Sequence, residues 1–194
     1  MSDALLIVDV QNDFCPGGAL AVPEGDAVVP VLNEYIARAQ AAGVPIFASR
    51  DWHPANTRHF AQFGGPWPVH CVQETPGAAF HPDLKLPEGT PIVTKGTSAE
   101  DAGYSMFDGT LPDGTPLLDA LRARGISRLH VGGLATDYCV RATVLDGLKN
   151  GFALELLTDA SRAVNVQPGD EQRAIDEMTA AGAQPETVGH FPVG

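Results

Sequence analysis

The sequence has 194 residues, with 12 lysines and arginines against 24 aspartates and glutamates, so its formal net charge at pH 7 is −12. Hydrophobic residues make up 44% of the chain, enough for one core, and predict a single domain spanning residues 1–194. The acidic balance argues against a nucleic-acid partner, because phosphate backbones are bound mainly through lysine and arginine.

The sequence also argues against a membrane partner. No apolar run approaches the roughly 20 residues that cross a bilayer, and the N-terminus lacks the basic start of a signal peptide. Three cysteines are too few, and odd in number, for a disulfide framework. We therefore expect a cytoplasmic protein with reduced thiols, and the sequence leaves open whether it forms a homo-oligomer.

Short apolar runs alternate along the chain with segments in which apolar residues recur every three or four positions. In chain order the pattern predicts strands and helices as follows: strand 4–10, helix 26–42, strands 45–51 and 91–95, a helix capped by Thr115 and ending at 124, strand 128–133, helix 137–150, strand 152–159, helix 170–181 and a short strand near Thr187. This alternation predicts βαβ units and an α/β fold with a mostly parallel sheet covered on both faces.

The stretch 52–90 interrupts the alternation. It is rich in proline, glycine, histidine and aromatic residues and has no clear period. Loop regions of this length in a compact domain are usually functional, so we expect it to carry metal or substrate contacts.

Chemically active side chains stand at the ends of several predicted strands. Asp9, Asp51 and Lys95 each end a strand, and Cys139 follows the fourth strand by six residues. Ligands of open parallel sheets bind outside the carboxyl ends of the strands. We therefore expect these four side chains to converge at one edge of the sheet.

Cys139 is the candidate nucleophile. It falls in the first turn of a predicted helix, where unpaired N–H groups and the helix dipole favour the thiolate. Asp9 is positioned to take the thiol proton, and Lys95 to stabilise negative charge. The alternative is that Cys139 is a small core residue. The two strand-end charges favour the catalytic interpretation, because either would be costly to bury without a partner.

A second constellation has the composition of a metal site. Asp51 and His53 lie two apart in an extended segment and so face the same way, and His70 follows on the far side of the loop. A carboxylate with two imidazoles suits zinc, iron or manganese. For His59 and His81 we expect solvated surface, with an additional ligand as the alternative for His59.

Three aromatic residues, Phe14, Trp67 and Tyr104, lie in loops that would form the site. The sequence leaves open whether these residues contact the substrate or only pack against their neighbours. Cys15 and Cys71 also lie near the predicted site, but neither has the setting of a nucleophile, so we expect them to be structural.

Four motifs occur in a fixed order: DVQNDFCPGGALAVPEGD from Asp9, DWHP from Asp51, WPVHC from Trp67 and GLATDYCV from Gly133. Together they resemble the nicotinamidases (pyrazinamidases) of the isochorismatase-like cysteine hydrolase family, over nearly the whole chain. The resemblance implies a three-layer α/β/α fold. It also implies hydrolysis of nicotinamide to nicotinate and ammonia in NAD salvage, with activity on pyrazinamide-like analogues.

Matching the motifs residue by residue implies a triad of Cys139, Asp9 and Lys95, with a thioester formed on the cysteine. The resemblance also implies a cis peptide bond before Ala135, whose N–H would form an oxyanion hole with the N–H of Cys139. Phe14 and Trp67 match aromatic residues that flank the substrate ring.

The same matching assigns Asp51, His53 and His70 as ligands of one divalent transition metal, with zinc expected ahead of iron or manganese. It carries Tyr104 over as a substrate contact. Many relatives read DWHP-x-N-H, whereas this chain has Asn56-Thr57 and places His59 two residues later. This departure leaves a further ligand and the identity of the metal open.

Two other functions compete with the amidase that the resemblance implies. A related amidohydrolase could use the same triad on a carbamoyl or ureido substrate, although the metal motif favours a pyridine-type substrate. A non-catalytic metal-binding protein of the same fold would be expected to have lost the nucleophile or base, yet both are present. Cleavage of isochorismate is disfavoured, because in relatives that chemistry does not depend on a cysteine at the position of Cys139.

Overall fold

The computed structural model describes residues 2–191 of the chain. Its parallel strands are β1 (Asp3–Val8), β2 (Ile46–Asp51), β3 (Ile92–Lys95), β4 (Arg128–Leu134), β5 (Ala153–Arg162) and β6 (Gln184–Glu186). Its α-helices are α1 (Val28–Ala42), α2 (Leu117–Ala123), α3 (Arg141–Lys149) and α4 (Asp170–Ala181). The strands form one six-stranded sheet in the order β3-β2-β1-β4-β5-β6.

The central strand β1 shows how the layers arise. Successive side chains of a strand point to opposite faces of its sheet. Leu5 and Ile7 pack in the cluster that contains the buried face of α1. Ala4, Leu6 and Val8 pack on the other face, in the cluster that contains buried residues of α2, α3 and α4. The fold is therefore three-layered α/β/α, as predicted.

The chain order reverses between β1 and β4. From β1 the chain moves outward to β2 and β3, then returns to place β4 on the other side of β1. Such a switch point opens a crevice at the carboxyl ends of the two strands. The register pairs Val8 with Gly133 beside this crevice, so residues after β1 and β4 reach the same space.

Several predicted boundaries shift for identifiable reasons. The first strand ends at Val8 rather than residue 10, because Asp9 turns the backbone to a φ of 48°. Thr115 is not the N-cap of α2. Its carbonyl accepts a hydrogen bond from Leu111 N, and the extended Pro116 directly precedes the helix.

The predicted helix 137–150 is divided. Thr136–Val140 forms a wider turn in which Val140 N bonds to Ala135 O, five residues back, and α3 follows it. The last strand lies just before Thr187 rather than around it. The stretch 52–90 contains only short 3-10 turns and isolated bridges, as its lack of period predicts. Within residues 2–191, no helix combines the length and apolar character needed to cross a membrane.

Gly133 provides a test of the close approach between β1 and β4. It has a φ of 125°, and a Cβ at this position would lie 2.1 Å from Val8 O. Gly133→Ala should lower the free energy of unfolding by about 2 kcal/mol or more, since both the φ and the contact are unfavourable. Urea denaturation measures the loss.

The matched control is Gly189→Ala, because a Cβ there would meet nothing within 4 Å. Its free energy of unfolding should stay within about 0.5 kcal/mol of the parent. Equal stabilities for the two variants would contradict this account of the β1–β4 contact.

Candidate active site

A buried ammonium group stands at the centre of the site. Lys95, at the end of β3, donates from Nζ to Asp9 Oδ2 at 2.7 Å, to Asp51 Oδ1 at 2.5 Å and to Gly103 O at 2.5 Å. Ser49 Oγ donates to the other oxygen of Asp9 at 2.7 Å. The Lys95, Asp9 and Asp51 side chains are 0 to 3% exposed. The predicted convergence of these three strand ends is therefore present.

The charges of these groups follow from burial and from each other. Burial raises the pKa of Asp9 to about 6, although Lys95 opposes the rise. Burial also acts to raise the pKa of Asp51, but the charge of Lys95 lowers it below its usual range. For Lys95, burial lowers the pKa, whereas Asp51 and Asp9 raise it and prevail. At neutral pH both carboxylates are therefore ionised beside a charged ammonium.

Cys139 lies in the turn that follows β4, and its Sγ is 3.6 Å from Lys95 Nζ. Burial raises the pKa of this thiol well above its ordinary value, and the opposing effect of Lys95 is smaller. The thiolate expected from the helix N-terminus is thus not the resting form, because desolvation outweighs the favourable charges. Sγ lies within 4.8 Å of carboxylate oxygens of Asp9 and Asp51.

Three histidines surround a second point of the same site. His53, His59 and His70 each place a ring nitrogen within 4.8 Å of those of the other two. All three are buried, with His59 only 8% exposed. The expectation that His59 is solvated surface is therefore wrong. The loop brings the His59 ring back over His53, at a ring-centroid separation of 4.9 Å.

The arrangement of these rings fits a metal ion. Nδ1 of His53 bonds to Gly96 O at 3.0 Å and Nδ1 of His70 to Pro68 O at 2.7 Å. A carbonyl only accepts, so each Nδ1 carries the proton and each Nε2 keeps a free lone pair. His53 Nε2 is buried without a hydrogen-bond partner among residues 2–191. Burial also lowers the pKa of His59 to about 4, which keeps that ring neutral.

Asp51 contacts both groups of the site. Its Oδ1 accepts from Lys95, and its Oδ2 lies 3.4 Å from His53 Nε2. One carboxylate thus spans the space between the ammonium and the histidines, as the neighbouring ends of β2 and β3 dictate.

A cavity opens beside Cys139. It has an empty volume of about 360 Å³, including its mouth. Its lining contains the three predicted aromatic residues Phe14, Trp67 and Tyr104, together with Ala135 and Tyr138. Trp67 Nε1 donates to Tyr104 Oη at 2.9 Å, which holds the two rings in a fixed relation. The cavity walls are largely apolar, and its polar groups include Cys139, Asp51, His59 and His70, as is usual for small-molecule sites.

The peptide bond between Leu134 and Ala135 is cis, as the resemblance implies. Ala135 lines the cavity between β4 and the turn that carries Cys139.

Sequence reasoning overlooked three residues that shape the site, Gln11, Ser49 and Tyr138, of which the first two are buried. Gln11 donates to Asp51 O at 2.8 Å and accepts from Asp51 N at 2.9 Å, so its side chain holds the backbone of that residue. Ser49 precedes Asp51 by two residues on β2, and this spacing was the available signal that it faces Asp9. Tyr138, next to Cys139, contacts Trp67 edge-on at 4.8 Å.

The other cysteines and His81 lie apart from the cavity. Cys15 and Cys71 are buried free thiols, and burial raises the pKa of both. Cys71 directly follows His70 in the chain, and its backbone N donates to Asp13 Oδ2 at 2.7 Å. Cys15 and His81 line a separate surface groove near Asp26.

Comparison with known proteins identifies the family to which this chain belongs. The sequence model described as the isochorismatase domain matches residues 3–189. The chain belongs to the isochorismatase family, and the resemblance predicted from the motifs is confirmed.

Within that family, similar proteins carry more specific names. The chain is 46% identical over 196 residues to the nicotinamidase of Escherichia coli (strain K12), covering 93% of this chain and 92% of the relative. The pyrazinamidase of Pyrococcus horikoshii, solved in complex with zinc, is 48% identical with a TM-score of 0.88, covering 96% and 99% of the two chains. PnC1 from L. infantum, solved in complex with nicotinate, is 34% identical with a TM-score of 0.87, covering 97% and 93%.

Lys95→Met tests the dependence of the site on its buried ammonium. Two carboxylates would lose their charged partner, so the free energy of unfolding should fall by about 3–5 kcal/mol. Chemical denaturation at neutral pH measures this loss.

Lys149→Met is the matched control, since Lys149 is 77% exposed in its pair with Asp146. It should change stability by less than about 1 kcal/mol. A Lys95 variant as stable as this control would contradict the account of Lys95 as the charge that stabilises the two acids.

Proposed function

We propose that the protein is a nicotinamidase, which hydrolyses nicotinamide to nicotinate and ammonia through a thioester on Cys139. The observation that carries the proposal is the chain of contacts from Asp9 through Lys95 to Cys139, beside the same cavity that His59 and His70 border. The named relatives support the substrate, and the nicotinate complex of the L. infantum protein supports a pyridine carboxylate in a site of this fold.

Asp9 is the proposed base. The Cys139 thiol is neutral at rest, so attack requires that its proton leave as Sγ bonds to the carboxamide carbon. The raised pKa of Asp9, about 6, makes that carboxylate a better proton acceptor than an ordinary aspartate while leaving it ionised at pH 7. Lys95 remains charged and offsets the negative charge that develops on sulfur.

The remaining steps return the enzyme to its starting state. The carbonyl oxygen, once negative, is proposed to accept hydrogen bonds from the backbone N–H groups of Ala135 and Cys139. Asp9 then gives its proton to the nitrogen as the carbon–nitrogen bond breaks, which releases ammonia. Water then attacks the thioester while Asp9 takes one of its protons and passes it to the departing sulfur, which restores the thiol, and the product leaves as nicotinate once its carboxyl proton has passed to solvent.

The cavity walls orient the substrate. Phe14 and Trp67 are proposed to flank the aromatic ring, with Tyr104 held against Trp67 by their hydrogen bond. Pyrazinamide has a ring of the same size and the same carboxamide, so we expect it to be accepted as well. The nicotinate produced would enter NAD salvage, and the three unpaired thiols fit the reducing cytoplasm expected from the sequence.

Asp51, His53, His59 and His70 are proposed to hold one divalent transition metal. Zinc is favoured by the neutral imidazoles and by the zinc complex of the P. horikoshii relative. When bound, the metal supplies a Lewis acid that anchors the ring nitrogen of the substrate. With His59 added, the proposed metal site contains three histidines instead of the two predicted from the sequence.

Cys139→Ala tests the nucleophile. Ammonia release from nicotinamide by the metal-replete protein should fall at least about 10³-fold, because the thioester cannot form. Cys15→Ala, which removes a buried thiol outside the cavity, should retain activity within about threefold of the parent.

A Cys139 variant with more than about a tenth of parental activity would contradict the thioester route. If the parent released no ammonia from nicotinamide, the same assay with ureido and carbamoyl substrates would identify a related amidohydrolase instead.

His59→Ala tests the enlarged metal site. Loss of a ligand should lower the zinc retained per chain after dialysis, as measured by elemental analysis, because affinity falls with the number of ligands. His81→Ala is the control, since His81 lies in the separate groove. Equal zinc content in the two variants would show that His59 is no ligand.

A further inference from the structure

The loop of residues 96–103 joins β3 to the segment that carries Tyr104, and two of its carbonyl groups bind side chains of the site. Gly96 O binds Nδ1 of His53 at 3.0 Å. Gly103 O binds Nζ of Lys95 at 2.5 Å. Between them, Ala99 O accepts from Arg58 N at 2.9 Å, next to His59. The conformation of this loop therefore determines where the site's imidazole and ammonium groups point.

The two glycines at the ends of this loop leave little room for substitution. A Cβ on Gly96 would lie 2.5 Å from His53 Cε1, and one on Gly103 would lie 2.5 Å from Gly96 N. Both have a positive φ, of 66° and 64°. Glycine allows the close approach and the backbone angle, but it is also the residue with the most backbone freedom to lose. A further interaction is therefore needed to fix the conformation of the 96–103 loop.

One carboxylate holds both ends. Asp101 Oδ2 accepts from Gly96 N at 3.0 Å, and its Oδ1 accepts from Gly103 N at 2.9 Å. The two glycines that donate their N–H groups to Asp101 are thus the same residues whose carbonyls bind His53 and Lys95. Asp101 is neither the proposed nucleophile nor one of the proposed metal ligands, and the sequence analysis did not identify it.

We propose that Asp101 is a positioning residue that sets the orientation of His53 and the location of the Lys95 ammonium together. It acts through Gly96 and Gly103 and does not touch the substrate. The His53 bond fixes the tautomer that leaves Nε2 free for a metal, and the Lys95 bond holds the charge 3.6 Å from Cys139 Sγ. This inference rests on the proposed function for its catalytic consequence, whereas its consequence for metal affinity is independent of the substrate.

The experiment compares Asp101→Ala with two controls. Glu100→Ala removes the neighbouring carboxylate, which is 67% exposed in its pair with Arg58. Asp159→Ala removes a carboxylate that also accepts two hydrogen bonds, from Tyr35 Oη and Val188 N, and ties α1 to the C-terminal segment instead. The first control matches the charge change, and the second matches the loss of stability.

Three quantities are measured for each variant: the zinc Kd of the metal-free protein by competition with a chromophoric chelator, kcat and KM for nicotinamide at saturating zinc, and Tm. Asp101→Ala should raise the zinc Kd and lower kcat, each about 10- to 100-fold, with KM within about threefold. Asp101→Asn should be intermediate, since one acceptor oxygen remains. Asp159→Ala should lower Tm with little change in zinc Kd or kcat, and Glu100→Ala should resemble the parent.

The proposal is overturned if Asp101→Ala matches Glu100→Ala in zinc Kd and kcat, or if it matches Asp159→Ala by losing only Tm. Failure of the proposed function has a different signature. In that case the parent releases no ammonia from nicotinamide, while the zinc Kd values still separate Asp101→Ala from the controls.

Discussion

The buried ammonium of Lys95 is the constraint on which the rest of the site depends. A charge removed from water must be matched by partners close at hand, or its burial would unfold the protein. Asp9 and Asp51 supply the opposite charges, and Gly103 supplies a carbonyl. Because these groups come from β1, β2 and the loop after β3, satisfying one charge brings three separate parts of the chain to one point.

That arrangement also links two kinds of chemistry. Asp51 uses one oxygen for Lys95 and directs the other toward His53, so a displacement of Lys95 would alter both the proposed triad and the histidine cluster. Gln11 holds the backbone of Asp51 through two hydrogen bonds. The proposed nucleophile, Cys139, follows β4, on the other side of the switch point, where Gly133 lets the chain pass close to Val8.

Much of the site was predictable because polar residues at the ends of apolar strands have few alternatives. Asp9 directly follows β1, and Asp51 and Lys95 end the adjacent strands β2 and β3, all of which the periodicity predicted to within two residues. His59 was not predictable in the same way, since residues 52–90 have no period that relates sequence spacing to direction. The ionisation of Cys139 also escaped prediction, because burial, which outweighs the helix N-terminus there, depends on everything packed around the thiol.

The sequence by itself determined the α/β alternation, the family resemblance and the candidate side chains of the site, since these follow from local pattern and from motifs read along the chain. Only the tertiary structure decided which histidines meet, which ring nitrogen of His53 and of His70 carries the proton, and how Asp101 binds both ends of the 96–103 loop. The physical reason is that hydrogen bonds and desolvation depend on atoms a few ångströms apart in space. Those atoms are tens of residues apart in the chain, where no periodicity relates them.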